Sequence, residues 1–85
     1  MKQMPSIGTR VSYRRKASGY LTERTCTGTV VAQYRGGVKY RDPETGEEYT
    51  TPDAVAVKVD APLPSWWPYP NTDRFAPDVA ELQPA

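Results

Sequence analysis

Over the first sixty residues, apolar and polar positions alternate with a period of two, and no stretch carries the 3.6-residue period of an amphipathic helix. In "GTRVSYR", Val11 and Tyr13 face one way while Arg10, Ser12 and Arg14 face the other. "TGTVVAQY" is rich in the β-branched and aromatic residues that suit a pleated, half-buried surface. In "VKY", Val38 and Tyr40 oppose Lys39 and Arg41, and in "AVAVKVD", Val55, Val57 and Val59 oppose Ala54, Ala56 and Lys58. The pattern predicts a series of short strands, each with one buried face.

The residues between these runs read as turns. "RGG" at 35–37 offers the positive-φ residues of a tight hairpin between the second and third strands. "DPETGE" places Gly three residues after Pro, the mark of a type I turn ending in a left-handed Gly. A loop over 43–46 then pairs Tyr40 with Tyr49 and Arg41 with Glu48, setting an aromatic pair and an ion pair beside the turn. Gly28 lies inside a strand and predicts a bulge or tight bend. "ASGYL" at 17–21 loops between the first two strands. Short strands at this spacing predict an all-β domain, and at this length a closed barrel of five to six strands removes the edges that two tiny sheets would expose.

Residues 61–77 break the pattern. The stretch 59–82 holds both tryptophans, the only phenylalanine and five of the nine prolines. Three readings are open for it. A polyproline ligand is disfavoured, because Pro62, Pro64, Pro68 and Pro70 form no P-x-x-P pair. A disordered tail is disfavoured by the aromatic content. The third is a strap: one of Trp66 and Trp67 caps an open end of the barrel, the other lies on the surface, and Phe75 returns to the core. "NTDRF" then forms a tight turn in which Asn71 or Asp73 caps free backbone donors. The end, "PDVAELQP", suits either one helical turn, with Val79 and Leu82 three apart, or a short closing strand; barrel closure favours the strand over 78–82. The domain plan is an N-terminal arm at 1–7, a barrel at 8–82 that includes the strap, and a tail at 83–85.

The chain has 85 residues, room for one small domain that buries only about 60–65% of the surface its unfolded state exposes. One cysteine and no histidine leave no intramolecular disulfide and no Cys–His metal site, so Cys26 is an apolar filler or a free thiol. No window approaches the ~18 continuous apolar residues of a membrane span. "MKQMPSIG" has no apolar region behind its lysine, so a soluble cytoplasmic protein is expected. The net charge of +1 divides unevenly: nine Lys/Arg against one acid up to Arg41, then nine acids against two bases. Such halves either attract within the fold or form separate faces for different partners.

Catalysis has little to build on. Without His the commonest general base is missing, there is no Gly-rich phosphate loop, and the adjacent Glu47 and Glu48 point to opposite faces of a strand. No cofactor or metal is expected. Binding is the remaining class, in two forms. Arg10, Arg14, Arg15, Lys16, Arg35, Lys39 and Arg41, with Tyr34 and Tyr20 near loops, combine cations and aromatics in the way that suits phosphate contact and base stacking. The competing form is a protein partner met by Trp66, Trp67 and Tyr69 and by the acidic half, with Glu44 and Glu47.

The order "G-x-x-V-x-Y", a loop, "G-T-V-V", a hairpin, "V-x-V-D" and a final "V-A-E-L" resembles the SH3-like small barrels, in particular their KOW- and Tudor-like branch, over residues 8–82. The hairpin at 38–51 and the Pro-Trp segment depart from the minimal pattern of that branch. The resemblance implies a barrel whose terminal strand returns to the first and which binds nucleic acid or protein segments rather than catalysing. In size and style the chain is also similar to short accessory proteins of phages and mobile elements, which implies an inhibitor or adaptor acting on a host protein. The expectation taken forward is a non-catalytic module contacting nucleic acid or a nucleoprotein through a basic strand face, with a host-protein partner as the alternative.

Overall fold

The computed structural model describes all residues except Lys2, Lys16, Ser18 and Leu21. It is all-β. Among the described residues seven strands run in chain order: β1 (Arg10–Arg15), β2 (Arg24–Tyr34), β3 (Lys39–Arg41), β4 (Glu48–Thr50), β5 (Ala54–Val59), β6 (Arg74–Phe75) and β7 (Leu82–Pro84). Five form an antiparallel sheet in the order β6-β5-β2-β1-β7, and β3 and β4 form a separate two-stranded sheet. The terminal strand returns to the first, with Val11 opposite Pro84 and Tyr13 opposite Leu82. The edge strands β6 and β7 are not paired with each other, so the sheet is open where a closed barrel was expected.

The predicted alternation sets the core. Val11, Val30, Val55, Val57, Val79 and Leu82 are buried together, with Met1, Met4, Tyr13 and Phe75 packed against them. Each fully buried aliphatic side chain of this size contributes about 1.5–3 kcal/mol, so six of them make a thin core. The single cysteine is buried too, across β1–β2 from Tyr13, which is the filler role. β2 carries an irregularity between Val30 and Ala32, so its inward positions change phase there while β5 keeps Val55, Val57 and Val59 inward. The bulge is therefore at Val31 rather than Gly28. Gly28 stays in register between Val11 and Val59, and a Cβ there would lie 2.4 Å from the Lys58 carbonyl oxygen. Its small size lets β5 approach β2.

The segment 35–37 does not fold β2 back onto β3. Gly36 N–H donates to Asp53 Oδ1 at 2.8 Å and Gly37 N–H to the Thr51 carbonyl at 2.8 Å. The chain thus continues from the β2–β5 ladder into the β3–β4 ladder as one long, bent ribbon. Gly37 takes φ +96°, a conformation open to Gly, and a Cβ on Gly36 would meet the backbone of Thr51 and Pro52. At the tip the expected turn is present. Gly46 has φ +73°, the Asp42 carboxylate accepts from the Glu44 N–H at 2.8 Å, and Tyr40 faces Tyr49 and Arg41 faces Glu48. Every residue of β3 and β4 is exposed, so this hairpin stands out from the core as an arm. The arm accounts for a radius of gyration of 14.5 Å, against about 12 Å for a compact chain of this length.

The end of the chain combines both forms weighed from sequence. Val79–Glu81 is a single 3-10 turn, and the strand starts only at Leu82, running to Pro84 rather than over 78–82. Val79, on the turn, is still buried, because its N–H donates to the Asp53 carbonyl and Asp78 bridges Ala54. The described residues before β1 include contacts with the sheet: Gly8 N–H donates to the Val30 carbonyl at 2.8 Å and Gln33 Nε2 to the Pro5 carbonyl at 2.7 Å. No helix among the described residues is long and apolar enough to cross a membrane.

Candidate aromatic and arginine site

The Pro-Trp segment crosses the edge of the sheet as a strap. Trp67 is its hub, with ring centroids 6.1 Å from Trp66, 5.4 Å from Tyr69 and 5.5 Å from Phe75, the last two edge-on. Phe75 in turn meets Tyr13 edge-on at 5.2 Å, which ties the strap to the core. Trp67 Nε1 donates to the Thr72 carbonyl at 2.7 Å, and Thr72 Oγ1 accepts from the Arg74 N–H at 3.1 Å. The turn at 71–75 is thus organised by Thr72, not by an Asn71 or Asp73 cap. Nor is one tryptophan inside and the other outside: both are partly buried, because they lean on each other.

The inward face of β1 carries Val11, Tyr13 and Arg15, and this line runs out of the core toward the strap. Tyr13, Arg15, Trp66, Trp67, Pro68, Tyr69 and Phe75 line one hollow of about 120 Å³. Across β1–β2, Arg15 stands directly opposite Arg24, whose guanidinium lies 5.8 Å from the centre of the Trp66 ring. Among the described residues Arg15 has no salt bridge; Nη2 approaches the Thr22 carbonyl at 3.5 Å, and Nε is inaccessible and has no described hydrogen-bond partner. Burial pushes the Tyr13 hydroxyl above the usual phenol range, Glu81 adds to this, and Arg15 opposes it. On its other side Arg15 borders a larger hollow with Met1, Ala80, Glu81 and Gln83.

Three of the other arginines expected to form a basic strand face, Arg10, Arg14 and Arg41, are already engaged. Arg10 holds Asp60 bidentately, with Nη1 2.6 Å from Oδ1, and also donates to Thr29 Oγ1 at 3.0 Å. The hydrogen bond to Arg10 keeps the Asp60 carboxyl below its ordinary range. Arg14 reaches Glu23 at 2.9 Å and lowers the Glu23 pKa in the same way, and Arg41 reaches Glu48 at 2.9 Å. Arg35 and Lys39 are exposed at the base of the arm, where neither has an ion-pair partner among the described residues. Tyr34 is exposed at the end of β2. Lys16 lies outside the described residues. Glu44 and Glu47 are exposed at the arm tip.

The structure therefore draws its site from two separate groups of candidates, Arg15 from the basic set and Trp66, Trp67 and Tyr69 from the aromatic set. Arg24, Tyr13 and Phe75 complete it. Arg24 was not legible: counting back across a loop at 17–21 sets Glu23 against Arg15, and the observed register is one residue longer. No group of three or more metal-ligating side chains is found among the described residues. Burial raises the Cys26 thiol above its ordinary pKa, which leaves it a poor nucleophile. Arginines and partly open aromatic rings are suited to holding an anionic ligand with a planar group. Comparison of the chain with known protein families, curated proteins and solved structures gives no match.

Proposed function

We propose that the chain is a non-catalytic module that binds nucleic acid or a nucleoprotein. The observation that carries this reading is the cross-strand pair Arg15–Arg24, without a salt bridge among the described residues and bordered by Trp66, Trp67 and Tyr69. Cations beside aromatic faces supply phosphate contact and stacking together. The surface differs from a plain basic strand face, since Arg10, Arg14 and Arg41 are tied to carboxylates. We read the scaffold as an opened relative of the SH3-like barrel, on the strength of the return of β7 to β1.

Fluorescence anisotropy with labelled short duplex and single-stranded oligonucleotides at two salt concentrations tests the reading. Binding should weaken with salt, with a log–log slope of about −0.9 per duplex phosphate neutralised. No binding to either probe at low salt refutes it.

The arm favours a second reading. It exposes Tyr34, Val38, Tyr40 and Tyr49 near acidic Asp42, Glu44 and Glu47, a combination that suits a protein partner of an inhibitor or adaptor, including one of phage type. Capture from a host lysate with and without nuclease separates the two: partners released by nuclease treatment speak for nucleic acid, partners retained for protein.

A further inference from the structure

We infer that the hollow beneath the strap takes one unit of a single-stranded nucleic acid, a base against Trp66 with the adjacent phosphate between Arg15 and Arg24. This inference rests on the nucleic-acid reading above and specifies its ligand and contact residues.

Directly opposed like charges on neighbouring strands destabilise a sheet. Arg15 and Arg24 are in that position, with no carboxylate bonded to either. On the same sheet and on the arm the fold supplies such partners to three arginines, giving Asp60 to Arg10, Glu23 to Arg14 and Glu48 to Arg41. Arg35 and Lys39 also lack one among the described residues, but only the Arg15–Arg24 pair stands beside an aromatic hollow. An anion bridging the pair relieves the repulsion, and a phosphate accepts from two guanidinium forks at once.

The walls decide what the anion is attached to. Trp66 is partly open and already has Arg24 over its ring at 5.8 Å, while Trp67 and Tyr69 close the hollow from the strap. A cationic guest such as a methylated ammonium is excluded here, because two guanidiniums border the rings. The hollow measures about 120 Å³. Sites for whole small molecules run to roughly 300–1,000 Å³, so this one admits a single group of a larger ligand whose remainder lies on the surface. In a duplex the bases are stacked and paired, whereas a single strand can turn one base out onto an aromatic face.

The test measures anisotropy of labelled oligothymidylate and of a duplex of the same length. The proteins are the wild type, Trp66→Ala, Trp66→Phe and the double variant Arg15→Gln/Arg24→Gln, each checked for folding by circular dichroism. The single strand should bind about tenfold more tightly than the duplex. Trp66→Ala should weaken single-strand binding about tenfold, inside the range for loss of one stacked base, while Trp66→Phe retains most of it. The double variant should flatten the salt slope by about 0.7 for each phosphate it no longer neutralises. Quenching of tryptophan emission by unlabelled oligothymidylate in the wild type gives a readout that needs no substitution. Equal affinity for duplex and single strand, without quenching and with Trp66→Ala unchanged, overturns this site and leaves nucleic-acid binding elsewhere on the chain standing. No binding of either probe at low salt removes both.

Discussion

Replacing Trp67 by alanine tests whether the strap is a structural part of this small fold. Trp67 touches three aromatic rings within 6.1 Å and donates its Nε1–H to the Thr72 carbonyl. A buried tryptophan removes ~150–250 Å² from water. Taking about 100 Å² as lost for this partly buried ring gives ~2.5 kcal/mol at ~25 cal/mol per Å². The hydrogen bond adds about 1 kcal/mol. The expected loss is ~3–4 kcal/mol, the usual size for truncating a large aromatic in a core. Urea and thermal unfolding followed by far-UV circular dichroism measure it. For a domain of this size the melting temperature should fall by roughly 12–32 °C. Two comparisons sharpen the reasoning. Trp67→Phe keeps one six-membered ring but loses the indole N–H and part of the ring's contact area, so a smaller loss of about 1–2 kcal/mol is expected. Trp66→Ala removes a ring with one aromatic neighbour and an arginine beside it, and should cost about 1 kcal/mol. A Trp67→Ala protein within about 1 kcal/mol of wild type, or one matched by Trp66→Ala, would refute the idea that Trp67 holds the strap.

Other substitutions probe the sheet and its ion pairs. Gly28→Ala sets a Cβ 2.4 Å from the Lys58 carbonyl oxygen and 2.6 Å from Val57 Cγ1, and equilibrium unfolding should show a loss of about 2 kcal/mol or more as β5 is pushed away. Asp60 has a pKa lowered by Arg10, so its ionised form favours the folded state above the unfolded carboxyl pKa of about 4, and that contribution is lost as pH falls through the folded value. The difference in melting temperature between wild type and Asp60→Asn should therefore be largest near neutral pH and close below about pH 4; a gap that stays constant into acid contradicts this. Cys26 is 6% exposed and has its pKa raised by burial, so iodoacetamide should label it slowly in the folded protein and rapidly in urea. Equal rates in the two conditions would contradict its burial.

Much of the fold is legible in local sequence because strand pairing and turn chemistry act over a few residues. The alternation of Val55, Val57 and Val59 determines an inward face, and all three are buried. "DPETGE" determines a turn, which fixes the register that joins Tyr40 to Tyr49 and Arg41 to Glu48. The strap was legible in outline, since proline and aromatic content argue against a free tail.

Long-range packing settled the rest. Whether an arginine is paired depends on carboxylates brought from far along the chain: Asp60, fifty residues from Arg10, pairs with it, while no salt bridge to Arg15 is found among the described residues. Whether the sheet closes depends on how its two edge strands sit, and β6 and β7 stay apart. "RGG" can make a tight turn or continue a ribbon. Thr51 and Asp53 supply the acceptors for Gly37 and Gly36, and so the ribbon continues. Local sequence thus dictates the strands, the tip of the arm and the chemical types of the candidate site residues. The fold chose which of them meet, because burial and charge neutralisation are settled between residues that only folding makes neighbours.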